Sequence, residues 1–290
     1  MEERDWFMLV KLYEEKNITK AAEALFVSQP ALTGRLQYIE ERFKSQIVIR
    51  GKKGVHFTPE GEFLVSCAKE MLRKLHFIEG AIQSMRNEVR GTLKLGASIL
   101  FFRHQLPNLL KKFMVLHPNV GFKISTNLSG KIVDLVQTGA IDIGFVRGDY
   151  EWLGKQDLLY EENMYIVSQQ EILLEDLPTM PRIDYKSNSK SMREALDKWW
   201  KDNFSAPPFV AVEVDKVDSC KELVLNGLGY AFLPEGILDH FDKLHKIAIL
   251  DKNGANLVRR TWMLYRHDNL KIASVKTFIE FVNNYYAHPV

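Results

Sequence analysis

The sequence is poor in cysteine. Only Cys67 and Cys220 occur among 290 residues, too few for a disulfide framework and spaced for neither a metal cluster nor a redox pair. Long apolar runs are also missing, and no stretch approaches the ~20 residues needed to cross a bilayer. The opening MEERDWF is acidic, where a secretory signal carries a basic segment ahead of an apolar one. These absences predict a soluble, cytoplasmic protein without a membrane partner. An excess of charge is lacking too: Lys and Arg number 39 against 37 Asp and Glu, for a net charge of +2. Bulk charge therefore makes no case for nucleic acid, and any such contact must come from a local patch. No G-x-S-x-G, H-E-x-x-H or P-loop string occurs, so enzyme chemistry has no anchor. Gly227-Leu228-Gly229 begins like a dinucleotide fingerprint but precedes a strand-like run instead of following one. The histidines are scattered, and no metal or cofactor is expected.

What is present is pattern. Trp6, Leu9, Val10 and Tyr13 form an apolar stripe on a helix from Glu3 to Glu15. Asn17-Ile18-Thr19 interrupts it and supplies capping side chains for a short helix, Lys20 to Leu25. Phe26-Val27-Ser28 reads as a tight turn. Ser28 then caps a third helix, with Pro30 in the first turn, where a missing N–H costs nothing. That helix buries Leu32, Leu36, Ile39 and Phe43, and turns Ser28, Gln29, Thr33, Arg35, Tyr38 and Arg42 to other faces. This is a helix-turn-helix, whose second helix enters the major groove by its N-terminal residues. Ser28, Gln29 and Thr33 suit base edges or phosphates, and Arg35 suits either. Ile47–Ile49 and Val55–Phe57 are β-type runs joined by Arg50-Gly51-Lys52-Lys53-Gly54, a hairpin wing with a cationic tip for phosphates. Between Arg35 and Lys53, six basic residues meet only Glu40 and Glu41, which is the local patch that net charge concealed.

From Pro59 to Val89 the chain reads as one long helix. Leu64, Ala68, Met71, Leu75, Ile78, Ile82 and Met85 alternate spacings of four and three, the a/d seam of a coiled coil. Packing on its own chain is the alternative to a second copy. Asn87 to Gly91 reads as a hinge. The boundaries expected are 1–58 for the winged helix, 59–90 for the linker helix and hinge, and 91–290 for the remainder.

After the hinge, strand-like and helix-like runs alternate. Strands are read at 92–96, 120–126 and 141–146, with helices at 102–117 and 131–138. A second cycle after Tyr165-Ile166-Val167 has helices at 191–203 and 216–225, with strands at 209–212, 230–233 and 260–265. A terminal helix over 272–285 returns to the first half. The alternation predicts a parallel sheet covered by helices on both faces. Two lobes follow, lobe I at about 91–164 and 266–290 and lobe II at about 165–265, with a ligand cleft between them.

The string NITKAAEALFVSQPALTGRLQYIEERF followed by IVIRGKKGVHFTPEG resembles the DNA-binding signature of LysR-type transcriptional regulators. Ala21, Ala22, Leu25, Ser28, Gln29, Pro30, Ala31, Leu32, Arg50, Thr58 and Gly61 stand at matching positions. Gly34, where the family usually has a longer residue, and Lys44, where a glycine usually follows the helix, depart from the pattern. LKLGAS, LPNLLKKF, IDIGFV and LVLNGLGYAFLP resemble the family's effector domain, whose fold is similar to type 2 periplasmic binding proteins. The resemblance implies an all-α winged helix-turn-helix domain with a long linker helix, then an α/β two-lobed effector domain. It implies a DNA-contacting set of Thr19, Ser28, Gln29, Pro30, Thr33, Arg35, Arg50, Lys52 and Lys53. It implies a cleft lined by Ser98, Ile99, Ser129, Gly130, Arg147, Lys186, Asn188, Ser189, Val217 and Leu233. The expected partners are double-stranded DNA with dyad symmetry, a second copy (and a dimer of dimers), and a small anionic effector. Serine hydroxyls with Arg147 suit a carboxylate. Some regulators of this family sense oxidants, but Cys220 lies in an apolar helical stretch and Cys67 beside the seam, where packing is the simpler role.

Overall fold

The computed structural model describes residues 1–51, 54–85, 89–185, 189–238 and 244–287. The chain opens with three helices, α1 (Glu3–Glu15), α2 (Ile18–Ala24) and α3 (Gln29–Phe43). Caps set their limits: the Asn17 side chain accepts from the Lys20 N–H, and Ser28 from the Ala31 N–H, each satisfying an orphan first-turn donor. Leu9, Leu12, Leu32, Leu36 and Ile39 enclose a core with Ala21, Ala22 and Ile47. Phe43, expected inside, is half exposed. Its neighbours Glu41, Arg42 and Lys44 are exposed as well, so the last turn of α3 projects past the core.

Strands β1 (Val48–Gly51) and β2 (Gly54–Phe57) pair antiparallel as the wing. The Val55 N–H donates to the Lys16 carbonyl at 2.8 Å. A Cβ on Gly54, at φ 116, would lie 2.5 Å from that oxygen, so only glycine fits. The T-x-x-G motif is a joint. The Thr58 hydroxyl donates to the Gln46 carbonyl at 2.7 Å and accepts from the Gly61 N–H at 3.0 Å, and a Cβ on Gly61 would meet the Ile47 carbonyl at 2.1 Å.

Helix α4 (Pro59–Ser84) has 26 residues and is about 39 Å long at 1.5 Å per residue. Its first turns belong to the winged helix, since Leu64, Val65 and Ala68 pack into that core. The expected boundary at 58 therefore cuts through a packed unit, and Leu64 and Ala68 are not free to meet a second copy. The exposed apolar side chains of this helix and the residue after it are Phe63, Met71, Ile78, Ile82 and Met85. Leu75 is half-buried. The far end of α4 rests on its own effector domain, with Phe77 against that core and Gly80 against Ile272. The His76 Nε2 lies 3.2 Å from both carboxylate oxygens of Asp142. The expected hinge at 87–91 falls partly outside the described residues.

Lobe I is built on β3 (Gly91–Ser98), β4 (Val120–Asn127) and β5 (Ile143–Arg147), with α5 (Ile99–His104), α6 (Leu106–Leu116) and α7 (Ser129–Gln137). The single helix expected over 102–117 is two. Pro107 stands in the first turn of α6, where its missing N–H and its ring prevent one continuous helix. Strand β6 (Lys155–Ser168) is 14 residues long and runs through both lobes. Lobe II adds β7 (Arg182–Tyr185), α8 (Lys190–Asn203), β8 (Val210–Val214), α9 (Val217–Leu225), β9 (Ala231–Pro234) and β10 (His245–Ala248). Then β11 (Val258–Tyr265) re-enters lobe I, and α10 (Ala273–Ala287) closes its core with Val275, Phe278 and Val282.

The sheet is mixed, where an all-parallel one was expected. β3 is parallel to β4 and β5, but β11 lies between β5 and β6 and runs antiparallel to both. The lobe boundary moves accordingly: β11 belongs to lobe I, so lobe II ends near residue 257. Alternation along β11 explains its place, with Met263 and Tyr265 facing the α10 side and Leu264 facing the α7 side. The first half of β6 pairs with β11, and its second half pairs with β9 and β10. β6 and β11 are thus the two strands that join the lobes.

Candidate functional sites

The first site is the exposed surface of the winged helix. Thr19 lies in the first turn of α2, and Ser28, Gln29 and Pro30 open α3; all are exposed, and Thr33 is half-buried. Arg50 is exposed on β1 opposite Val55, while Lys52 and Lys53 lie outside the described residues. Arg35 is engaged differently. Its Nη2 donates to Asp5 Oδ2 at 2.8 Å and its Nε to Oδ1, and its guanidinium sits 4.6 Å from the Tyr38 ring centroid. Burial works to raise the Asp5 carboxyl, but bonds from Arg35 and from the Glu2 N–H outweigh it and hold the group below its ordinary 3.8. Arg35 is therefore placed to brace the reading helix against α1 rather than to reach freely for DNA.

The second site is the junction of the lobes. Ser98 ends β3, and its buried Oγ has no hydrogen-bond partner among the described residues. The Ser129 Oγ accepts from the Arg147 N–H at 3.0 Å and hydrogen-bonds the Tyr150 side chain. Tyr150 packs on lobe I: Cβ atoms built on Gly130 and Gly148 would each stand 3.8 Å from its ring, and one on Gly148 would fall 2.5 Å from the Ser189 Oγ of lobe II. Two expected effector residues, Ser129 and Gly130, thus meet at a tyrosine that the sequence reading did not name, and Ser189 approaches the neighbouring Gly148. Ile99 is exposed. Val217 and Leu233 are buried in a lobe II core against which Leu100 of lobe I packs. Arg103 on α5 donates to Asp218 on α9 at 2.8 Å. These contacts tie the lobes together, and a cavity of about 780 Å³ lies between α1, α4 and lobe I. Lys186 and Asn188 lie outside the described residues.

Behind these residues lies a buried charge cluster. Arg147, Glu162 and Arg259 are only 7%, 5% and 7% exposed. The Arg259 Nε donates to Glu162 Oε1 at 2.8 Å, the Gly236 N–H of lobe II donates to Oε2 at 3.0 Å, and Arg147 Nη1 stands 3.9 Å from Oε1. Arg147 Nη2 donates to the Tyr160 hydroxyl at 3.1 Å. Burial opposes ionisation of Glu162, but the two guanidinium groups and the Gly236 N–H prevail and hold it below its ordinary 4.5. Arg147 Nε and Nη1 and Thr261 Oγ1 are buried with no hydrogen-bond partner among the described residues, while Arg259 Nη2 stands 2.8 Å from Glu162 Oε1. Such donors are costly unless something accepts from them. Glu162, Arg259 and Thr261 escaped the sequence reading. The signal was the adjacent acids in LLYEENMYIV and the adjacent arginines in NLVRRTWMLY, each pair set within an otherwise apolar strand.

A winged helix carried on a long helix, followed by two α/β lobes with a polar junction, defines a ligand-responsive DNA-binding regulator. The comparisons agree with that architecture. Residues 4–62 match the bacterial regulatory helix-turn-helix protein of the lysR family, and residues 86–287 match the LysR substrate binding domain. The HTH-type transcriptional regulator YraN of Bacillus subtilis is 39% identical over 282 residues, covering 97% of each chain. YkuM of the same organism is 34% identical over 286 residues, covering 98% of this chain and 97% of its own. A full-length OxyR variant from Pseudomonas aeruginosa superposes with a TM-score of 0.70 at 19% identity, covering 97% of this chain and 94% of that one. Full-length CbnR in complex with its target DNA gives 0.67 at 18% identity, covering 98% and 99%. The chain belongs to the LysR family of transcriptional regulators, with a DNA-binding domain followed by an effector-binding domain. Among the described residues no helix is long and apolar enough to cross a membrane.

Proposed function

We propose that the chain acts as a homodimer, or a dimer of dimers, that reads dyad-symmetric DNA and is switched by a small carboxylate bound between its lobes. Reading is assigned to Ser28, Gln29 and Thr33 at the start of α3, with Thr19, Arg50 and the wing lysines on phosphates. Pairing of copies is assigned to the exposed stripe of Met71, Ile78, Ile82 and Met85, with Phe63 added. The observation that carries the effector reading is the set of buried donors at the junction with no hydrogen-bond partner among the described residues: Ser98 Oγ, Thr261 Oγ1 and the Arg147 Nε and Nη1. An anion with acceptor oxygens answers that deficit. Oxidant sensing finds little support, since burial pushes the Cys220 thiol up to about 12, far from a reactive thiolate.

The test is a thermal-stability screen of the full chain against carboxylates, amino acids, sugars and their neutral analogues. Saturation at 100 times Kd stabilises by about 2.7 kcal/mol. A shift with one acid class that Ser98→Ala abolishes supports the reading, and a shift with sugars alone refutes the carboxylate.

A further inference from the structure

We infer that the seam between the linker helix and lobe I holds a small divalent oxyanion (sulfate, phosphate or a phosphate monoester), gripped by Arg73 and Lys74 of α4 and by Arg266 and Lys271 of lobe I. This site shares no residue with the cleft between the lobes, and it stands or falls independently of the effector read there.

Helical spacing supplies one half of the site. Glu70, Arg73, Lys74 and Phe77 recur at three and four residues along α4, so they share a face. Phe77 packs on the core of lobe I, which turns that face toward the lobe. The other half comes from the end of β11. Arg266 follows that strand, and Asp268 and Lys271 lie on the short 3-10 helix His267–Lys271. A cavity of about 280 Å³ lies between the two halves. Gly139, at φ 69, lets both arginines approach: a Cβ there would lie 2.3 Å from Arg73 Cδ and 2.9 Å from Arg266 Nη1.

The charge around this cavity does not balance. Arg73, Lys74, Arg266 and Lys271 face only Glu70 and Asp268, which leaves two positive charges. Both acids are mostly exposed and stand off from their partners, Glu70 Oε1 at 3.6 Å from Arg73 Nη2 and Asp268 Oδ1 at 3.5 Å from Lys271 Nζ. Asp142 also acts on Arg266, but its carboxylate is engaged by His76 and by the Lys94 N–H. Arg266 Nη2 donates to Asn269 Oδ1 at 3.1 Å, whereas its Nε is buried with no hydrogen-bond partner among the described residues. Burial, and then the charge of Arg73, push the Arg266 guanidinium below its ordinary value. Two like charges held together around a shielded donor carry a cost that an anion offsets. A dianion answers both surplus charges and a monoanion only one, and guanidinium groups match oxyanions in fork geometry. An ion held there bridges α4 to lobe I, adding to the tie that Phe77 and the His76–Asp142 contact already make.

The experiment is a calorimetric titration of the full chain, with chloride holding the ionic strength constant and the pH above the second phosphate pKa. Sulfate, inorganic phosphate and methyl phosphate are compared with nitrate and acetate. The dianions are expected to bind about tenfold more tightly than the monoanions. Arg73→Gln and Arg266→Gln are each expected to weaken sulfate binding by about tenfold or more, and the more exposed Lys271→Gln by about threefold. Glu70→Gln removes an exposed acid and releases Arg73, so it is expected to tighten sulfate binding by about threefold, an effect that a folding defect cannot imitate. Methyl phosphate binding at least as tightly as inorganic phosphate supports the site and assigns it to a phosphorylated compound. Binding of sulfate and inorganic phosphate alone supports it and assigns it to the free ion. Dianion binding that survives both arginine substitutions, or that Glu70→Gln leaves unchanged, overturns the proposal. So do nitrate and acetate binding as tightly as sulfate, and no binding of any dianion.

Discussion

The winged helix and the lobe junction both bury ionised side chains, and they do so in opposite ways. In the winged helix the buried acid Asp5 meets one arginine, Arg35, through two parallel bonds, and the rest of the interior is apolar. At the junction one acid meets two arginines, and several donors are left unanswered. The first arrangement is complete, so α3 is held in a single orientation against α1. The second leaves buried donors that a ligand's acceptor oxygens can answer, and it lies on the two strands that join the lobes. A ligand shifts such an equilibrium only by its differential affinity for the two arrangements, and an enclosed surplus charge is a direct source of that difference.

The largest effect that breaks this comparison is removal of the junction's acid. Glu162→Ala leaves two buried guanidinium groups unpaired and is expected to cost about 3–5 kcal/mol in urea denaturation. Asp5→Ala, whose partner is partly exposed and can turn to water, is expected to cost less. A larger loss for Asp5→Ala would invert the comparison. The same acid governs a pH dependence. Because Glu162 is held below 4.5 in the folded chain, its contribution is present above that value and is lost as pH falls through the depressed one. Glu162→Gln should therefore flatten the decline of stability below pH 4.5, and an unchanged acid limb would assign that decline to other groups.

A smaller effect comes from prying the lobes apart. Gly148→Ala adds a Cβ 2.5 Å from the Ser189 Oγ at a backbone φ of 92, and is expected to cost about 1–3 kcal/mol. Stability equal to wild type would mean that the lobes do not meet there in solution. The smallest effects sharpen the winged-helix side and are gains. Gly34→Ala enters open space on α3 and should add about 1 kcal/mol. Lys44→Gly relieves a left-handed residue at φ 50 and should add about 1 kcal/mol. Chemical denaturation of the full chain reads both, and a loss in either would place that residue in a contact beyond its own helix.

Sequence alone carried the winged helix well, because its signals are local: Asn17 and Ser28 cap the helices they precede, and Thr58 and Gly61 stand three residues apart within one joint. The Lys44 departure was visible too, and the structure gives it a left-handed cap where glycine is the low-strain residue. Long-range facts were harder to read. Leu64 and Ala68 fit the heptad seam, yet the winged-helix core claims them, since a helix presents the same residues to whichever neighbour arrives first. The strand at 155–164 was hidden by its charges, and with it went the antiparallel place of β11. Arg259 and Glu162 are 97 residues apart, and only the register of β6 on β11 brings them together. Arg147 was legible as a cleft residue through the family resemblance, but its hydrogen bond to Tyr160 was not.

The central claim is that a carboxylate at the junction changes how the winged helices hold DNA. The most direct measurement selects genomic fragments with the full chain, then follows affinity for the selected site by fluorescence anisotropy as carboxylates are added. Sites with dyad symmetry are expected, and an affinity change of about tenfold, equivalent to roughly 1.4 kcal/mol of coupling, with a singly charged carboxylate. Dyad-symmetric sites bound equally well in every carboxylate that binds the protein would contradict it.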